Sequence, residues 1–224
     1  IILYILTAYL TPQPPNPKPP NPKLDKKRLI NKMKEYSKTE FSKADLKMII
    51  IGDTACGKSK LVERFLLDDY QQRQLSTYAL TMYRHTSKFE GRDYAIDIWD
   101  TAGQEQYSAI HPSYYFAADC CILVFDVTRK STYQNIKNWY SAMRQQCGQI
   151  PTVLVANKID LKPEMTKKKF QFAVKNDLPL FFTSAADGTN VVKVFKEILG
   201  LSVEHKRSGK TSNFIQDVLE AIED

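Results

Sequence analysis

The chain has 224 residues, 43% of them hydrophobic and 25% charged, enough for one sizeable core with tails. A formal net charge of +7 would suit nucleic acid or an anionic membrane, but the cations are not gathered on one basic-aromatic stripe, which argues against a nucleic-acid binder. The four cysteines (Cys56, Cys120, Cys121 and Cys147) contain no CxxC pair, which argues against a zinc site and points to a reducing compartment.

Residues 1–23 read as a tail. The apolar run Ile1–Leu10 is shorter than the roughly 20 residues that span a bilayer, and no cleavage-like site of small residues follows it. It reads as a segment that packs on something. Thr11–Lys23 is rich in proline and should be extended, serving either as a spacer or as a docking peptide for a proline-binding groove. Residues 24–45 form a basic linker, polar and lysine-rich. The domain proper is expected over 46–201.

From Leu46 the pattern changes. Apolar runs of strand length recur at 46–51, 94–99, 120–126, 152–156 and 180–184, as expected for strands covered on both faces. Helix-like stretches lie between most of them, at 58–67, 131–147, 166–176 and 190–201. The alternation implies an α/β fold: a six-stranded, mostly parallel sheet with helices on both faces. Leu80–Phe89, followed by the turn residues Glu90-Gly91-Arg92-Asp93, reads as a hairpin that adds one antiparallel edge strand. The tail 202–224 carries Phe214, Ile215, Val218, Leu219 and Ile222 on one helical face, with Asn213 and Gln216 as a capping box. This amphipathic helix either packs back on the domain or serves as a handle for a partner.

The chemistry sits in three loops. Gly52-Asp53-Thr54-Ala55-Cys56-Gly57-Lys58-Ser59, followed by Lys60, matches GxxxxGK[ST] and follows a strand. Its glycines let the backbone curl so that N–H groups face phosphate oxygens, and the following helix adds its positive dipole end. Lys58 is placed to reach the β- and γ-phosphates, and the Ser59 hydroxyl to ligate magnesium. Asn157-Lys158-Ile159-Asp160 selects the base. The Asp160 carboxylate accepts from the ring N–H and the exocyclic amine of guanine, donors that adenine lacks there; such a site rejects the wrong base by roughly 10⁴ or more. Asn157 bridges base and loop, the Lys158 stem covers the ring, and Ser184-Ala185, with Ala186 next to them, supplies a backbone N–H for the base oxygen. Asp100-Thr101-Ala102-Gly103-Gln104 is the third loop. In it Asp100 holds magnesium through water, Gly103 offers its N–H to the γ-phosphate, and Gln104 orients the attacking water. Thr77 adds a hydroxyl to magnesium, and Tyr70 packs against the base.

In this order and spacing the motifs resemble those of the Ras-superfamily small GTPases, the Rab branch above all. WDTAGQE (99–105), NKID (157–160) and GDTACGKSKL (52–61) carry the resemblance, which runs from about Leu46 to Leu201. LSTYALT (75–81), FDVTRKSTY (125–133) and SAADGTNVVKVF (184–195) are similar to the Rab-like protein two subgroup. The resemblance implies a GTP/GDP switch with Mg2+ and slow hydrolysis. Its effectors would engage loops 70–82 and 101–114, and the helix at 213–223 offers a second handle; an exchange factor and a GTPase-activating protein would act on it. The subgroup's association with cilia and intraflagellar transport implies a cytoplasmic or ciliary location and a larger ciliary complex.

The sequence also departs from the pattern. Thr77-Tyr78-Ala79-Leu80 lacks the glycine usual after the switch threonine, Ala186-Asp187 stand where a lysine commonly covers the base, and Gln106 replaces a common arginine. The chain ends in Glu220-Ala221-Ile222-Glu223-Asp224, without the prenylated cysteines of Rab proteins, so no direct lipid anchor is expected and partners should localise it. The competing reading is a GTP-bound structural adaptor with dispensable hydrolysis. A phosphate loop serving ATP is disfavoured by Asp160.

Overall fold

The computed structural model describes residues 44–67, 80–101 and 112–208. Tyr70, Thr77, Gly103, Gln104 and Gln106, residues 1–43 and 209–224, and with them the helix expected at 213–223, lie outside them.

Strands β1 (Leu46–Ile51), β2 (Leu80–Phe89), β3 (Arg92–Thr101), β4 (Cys120–Asp126), β5 (Thr152–Asn157) and β6 (Leu180–Thr183) form one sheet in the order β2-β3-β1-β4-β5-β6. β2 pairs antiparallel with β3, and the other pairings are parallel. Helices α1 (Lys58–Leu67), α2 (Pro112–Tyr115), α3 (Lys130–Cys147), α4 (Gln171–Lys175) and α5 (Val191–Arg207) connect them. This is the expected mixed sheet.

The apolar runs are continuous because alternate side chains enter different cores. On β1, Met48 and Ile50 join Leu61 and Val62 of α1 and Val194 and Ile198 of α5, while Ile49 and Ile51 meet Ile136, Trp139 and Met143 of α3. On β4, Ile122 and Val124 face the first core, Leu123 and Phe125 the second. Cys120 and Cys121 are fully buried, one toward each core. Burial pushes the Cys120 thiol up to about 12, so it behaves as a small apolar side chain.

The hairpin is tighter than the sequence suggests. Phe89 pairs with Arg92, so the turn is Glu90-Gly91 alone, and Arg92 and Asp93 belong to β3. Both turn residues have positive φ, 49° and 78°, as a two-residue turn matching strand twist requires. The single helix expected at 166–176 is divided. A 3₁₀ turn spans Pro163–Lys167, and α4 begins only at Gln171. Between them Phe170 enters the core, its ring 4.9 Å from those of Phe125 and Tyr133. The final helix also runs past Leu201 to Arg207. Ser202 and Val203 are buried, and the Ser202 hydroxyl donates to the Ile198 carbonyl at 2.6 Å. His205, Lys206 and Arg207 occupy its last turn, where the helix dipole favours cations.

Among the described residues, no helix is long and apolar enough to cross a membrane.

Candidate functional site

The chain order reverses between β1 and β4, and the crevice at the carboxyl ends of such strands is where open α/β sheets bind ligands. The loop 52–57 leaves β1 at this point and enters α1 at Lys58. Its curl depends on two glycines. Gly52 has φ +143°, and a Cβ there would stand 2.1 Å from the Val124 carbonyl oxygen. Gly57 has φ +90°, and its Cβ would meet Asn157 Nδ2 at 2.4 Å. Ala55 holds the left-handed region at φ 60° without being glycine.

Lys58 is buried, and its ammonium donates to the carbonyls of Gly52 (2.9 Å) and Asp53 (3.1 Å). Burial pulls its pKa below the ordinary lysine value, opposed by neighbours that include Asp100 and Asp53. The cation is thus held in the cup of its own loop. The N-terminus of α1 follows the loop directly, and the first N–H groups of a helix seek acceptors outside it.

Asp100, near the end of β3, is fully buried, and among the described residues its carboxylate has the Ser59 hydroxyl beside it but no well-aligned hydrogen bond. Burial pushes its carboxyl up to about 6; the Ser59 hydroxyl and the Lys58 ammonium act in the opposite direction. A buried carboxylate in this condition calls for a counter-ion. With the Ser59 hydroxyl it makes an oxygen-donor pair that fits magnesium, which takes one or two protein oxygens and keeps its remaining ligands for water and phosphate.

Asn157 ties the loops together. Its Nδ2 donates to the Cys56 carbonyl (2.8 Å), while its Oδ1 accepts from Thr183 Oγ1 (3.1 Å) and the Ala185 N–H (3.2 Å). Lys158, at φ 68°, extends its ammonium to the Ala55 carbonyl at 2.7 Å. The neighbouring Asp160 is exposed. Ser184 N–H is taken by Thr189 O, so within this loop both the Ser184 and Ala185 donors are engaged. Lys60 lies on α1, paired with Glu63 at 2.6 Å.

Several contributors were not read from the sequence. Asp53, expected only as part of the cradle, turns its carboxylate to α3, accepting from Asn135 Nδ2 (2.8 Å) and Trp139 Nε1 (2.7 Å). The signal was a tryptophan on an apolar helix face whose N–H needs a buried partner. Arg64 of α1 donates to the carbonyls of Ala185 (3.1 Å) and Ala186 (2.6 Å), holding the loop that lacks the common lysine. Asp126, at the end of β4, receives Thr128, Arg129 and Lys158. Burial pushes its carboxyl up, but the bonds from Lys158 and Thr128 outweigh this and hold it below the usual range.

Trp139→Phe removes the donor to Asp53 and also part of the buried indole, so the void it leaves adds to the lost hydrogen bond. A hydrogen bond to a charged group is worth about 1.5–3 kcal/mol, and a urea unfolding curve should show a loss of at least that size.

The model of the Ras family matches residues 47–203. The chain belongs to the Ras family of small GTPases. Within that family it is 52% identical over 179 residues to Rab-like protein 2A of Mus musculus, covering 80% of this chain and 79% of the relative. It is 50% identical to Rab-like protein 2B of Homo sapiens, covering 80% and 77%. A Ypt/Rab-type GTPase of Saccharomyces cerevisiae is 35% identical over 188 residues, covering 79% and 90%. This small GTPase therefore sits in the Rab-like branch, whose members bind guanine nucleotide, usually with magnesium, and engage effectors, exchange factors and activating proteins.

Proposed function

We propose that this small GTPase is a slowly hydrolysing switch whose GTP-bound form recruits protein partners. The buried Asp100 beside Ser59 and Lys58 carries the magnesium-nucleotide part of the reading, which the structural adaptor shares; hydrolysis and switching rest on Gln104 and Thr77 in the sequence motifs. Residues 52–60 surround the phosphates with backbone donors, and Lys58 neutralises developing charge on the β- and γ-phosphates. Ser59, Asp100 and Thr77 would hold magnesium, which supplies charge neutralisation between the phosphates when bound. Gly103 offers its N–H to the γ-phosphate, and Gln104 orients the attacking water. Asn157, Lys158, Asp160 and, in the 184–186 loop, Ala186 receive guanine, since the Ser184 and Ala185 N–H groups are taken by Thr189 and Asn157; Tyr70 packs on the base.

Contacts from the γ-phosphate to Thr77 and Gly103 order loops 70–82 and 101–114, and hydrolysis releases them. Effectors then read those loops, with 213–223 as a further handle. An activating protein that supplies an arginine finger would raise turnover by about 10³–10⁵. The likeness to Rab-like protein 2A and 2B supports a place in ciliary or intraflagellar transport.

Gln104→Leu tests the reading. Single-turnover hydrolysis of bound GTP should fall by at least about tenfold, in line with the worth of a positioned catalytic contact, while nucleotide affinity is kept. Hydrolysis that is absent in the wild-type chain and unaffected by the substitution would favour the alternative, a GTP-bound structural adaptor.

A further inference from the structure

We infer that Arg129 is a positioning residue for the phosphate loop and sets how long the chain retains guanosine diphosphate. The inference rests on the nucleotide site proposed above. Arg129 lies in the turn between β4 and α3 and bridges two groups: its Nε donates to Asp126 Oδ2 at 3.0 Å and its Nη2 to the Thr54 carbonyl at 2.7 Å. Lys158 reaches the same Asp126 oxygen at 2.8 Å and the next carbonyl, that of Ala55, at 2.7 Å. Two cations anchored on one buried carboxylate thus hold two consecutive loop carbonyls.

The consequence follows from the peptide plane. In a trans peptide the C=O of Thr54 and the N–H of Ala55 point in opposite directions. Holding the carbonyl against Arg129 therefore turns the Ala55 N–H to the other side of the loop, and fixes a residue whose φ of 60° is unfavourable for alanine. A guanidinium suits this position because its Nε and Nη2 donate in fixed directions from one rigid plane, which sets the Thr54 carbonyl relative to Asp126 more closely than a flexible ammonium would.

The test uses the full chain loaded with fluorescent GDP and magnesium. Arg129→Ala should release GDP roughly tenfold to a hundredfold faster, the effect of losing one charge-assisted hydrogen bond. Arg129→Lys should fall between it and the wild type. Single-turnover hydrolysis of preloaded GTP should stay within about twofold, because Arg129 acts on the loop and not on the attacking water. In an Asp126→Asn background the same Arg129→Ala change should have a smaller effect, since the anchor is already lost. Unchanged GDP release in Arg129→Ala overturns the inference, as does an equal effect in both backgrounds or a matching fall in hydrolysis. If the wild-type chain holds no GDP at all, the proposed function fails and this inference with it.

Discussion

Gly52→Ala is expected to abolish nucleotide binding and to destabilise the domain by more than about 4 kcal/mol, the range reached when a substitution strikes fixed backbone. The added methyl would stand 2.1 Å from the Val124 carbonyl oxygen and 3.1 Å from its carbon. Val124 cannot retreat. It lies in the middle of β4, which pairs with β1 on one side and β5 on the other. The backbone of Gly52 also holds φ +143°, which an L side chain rarely adopts. Gly91→Ala is the control. It too has positive φ, at +78°, but its Cβ would meet nothing within 4 Å, so only the left-handed penalty of about 1–2 kcal/mol applies. Thermal unfolding and GDP binding of the two variants separate close packing at the phosphate loop from glycine's backbone freedom in general.

The second large effect concerns the base. Asp160→Ala should lower affinity for GDP by about 10²–10⁴ and remove the preference for guanine over adenine, because two base donors lose their charged acceptor. The fold should survive, since Asp160 is exposed in the turn after β5. Asn157 stands in contrast: it is buried and bonded to Cys56, Thr183 and Ala185, so its replacement would disturb the loops themselves. Competition of GDP and ADP for each protein, with circular dichroism as the check on folding, distinguishes recognition from scaffolding.

What could be read from the sequence follows from the range of the interactions. β1, β4 and β5 stood out because both faces of each are buried, which leaves uninterrupted apolar runs between motif loops. The phosphate loop and the NKID loop were visible because their chemistry requires fixed residues at fixed spacing. The partners of those loops were not. Trp139 and Asn135 reach Asp53 from more than eighty positions away, and Arg129 reaches Thr54 from 75 positions away. No local periodicity records such pairings. The division of 163–175 escaped notice for a related reason: Phe170 is withdrawn into an aromatic cluster that only the folded sheet creates. The extension of α5 to Arg207 depends similarly on Val203 finding the core beneath the sheet.

The most direct test of the whole account is titration of the purified chain with fluorescent GDP in the presence of magnesium, followed by displacement with unlabelled nucleotides. The account predicts saturable one-to-one binding, weakened by chelating magnesium, that GTP and GDP reverse and ATP does not. Displacement by ATP as effective as by GTP, or binding indifferent to magnesium, would contradict it.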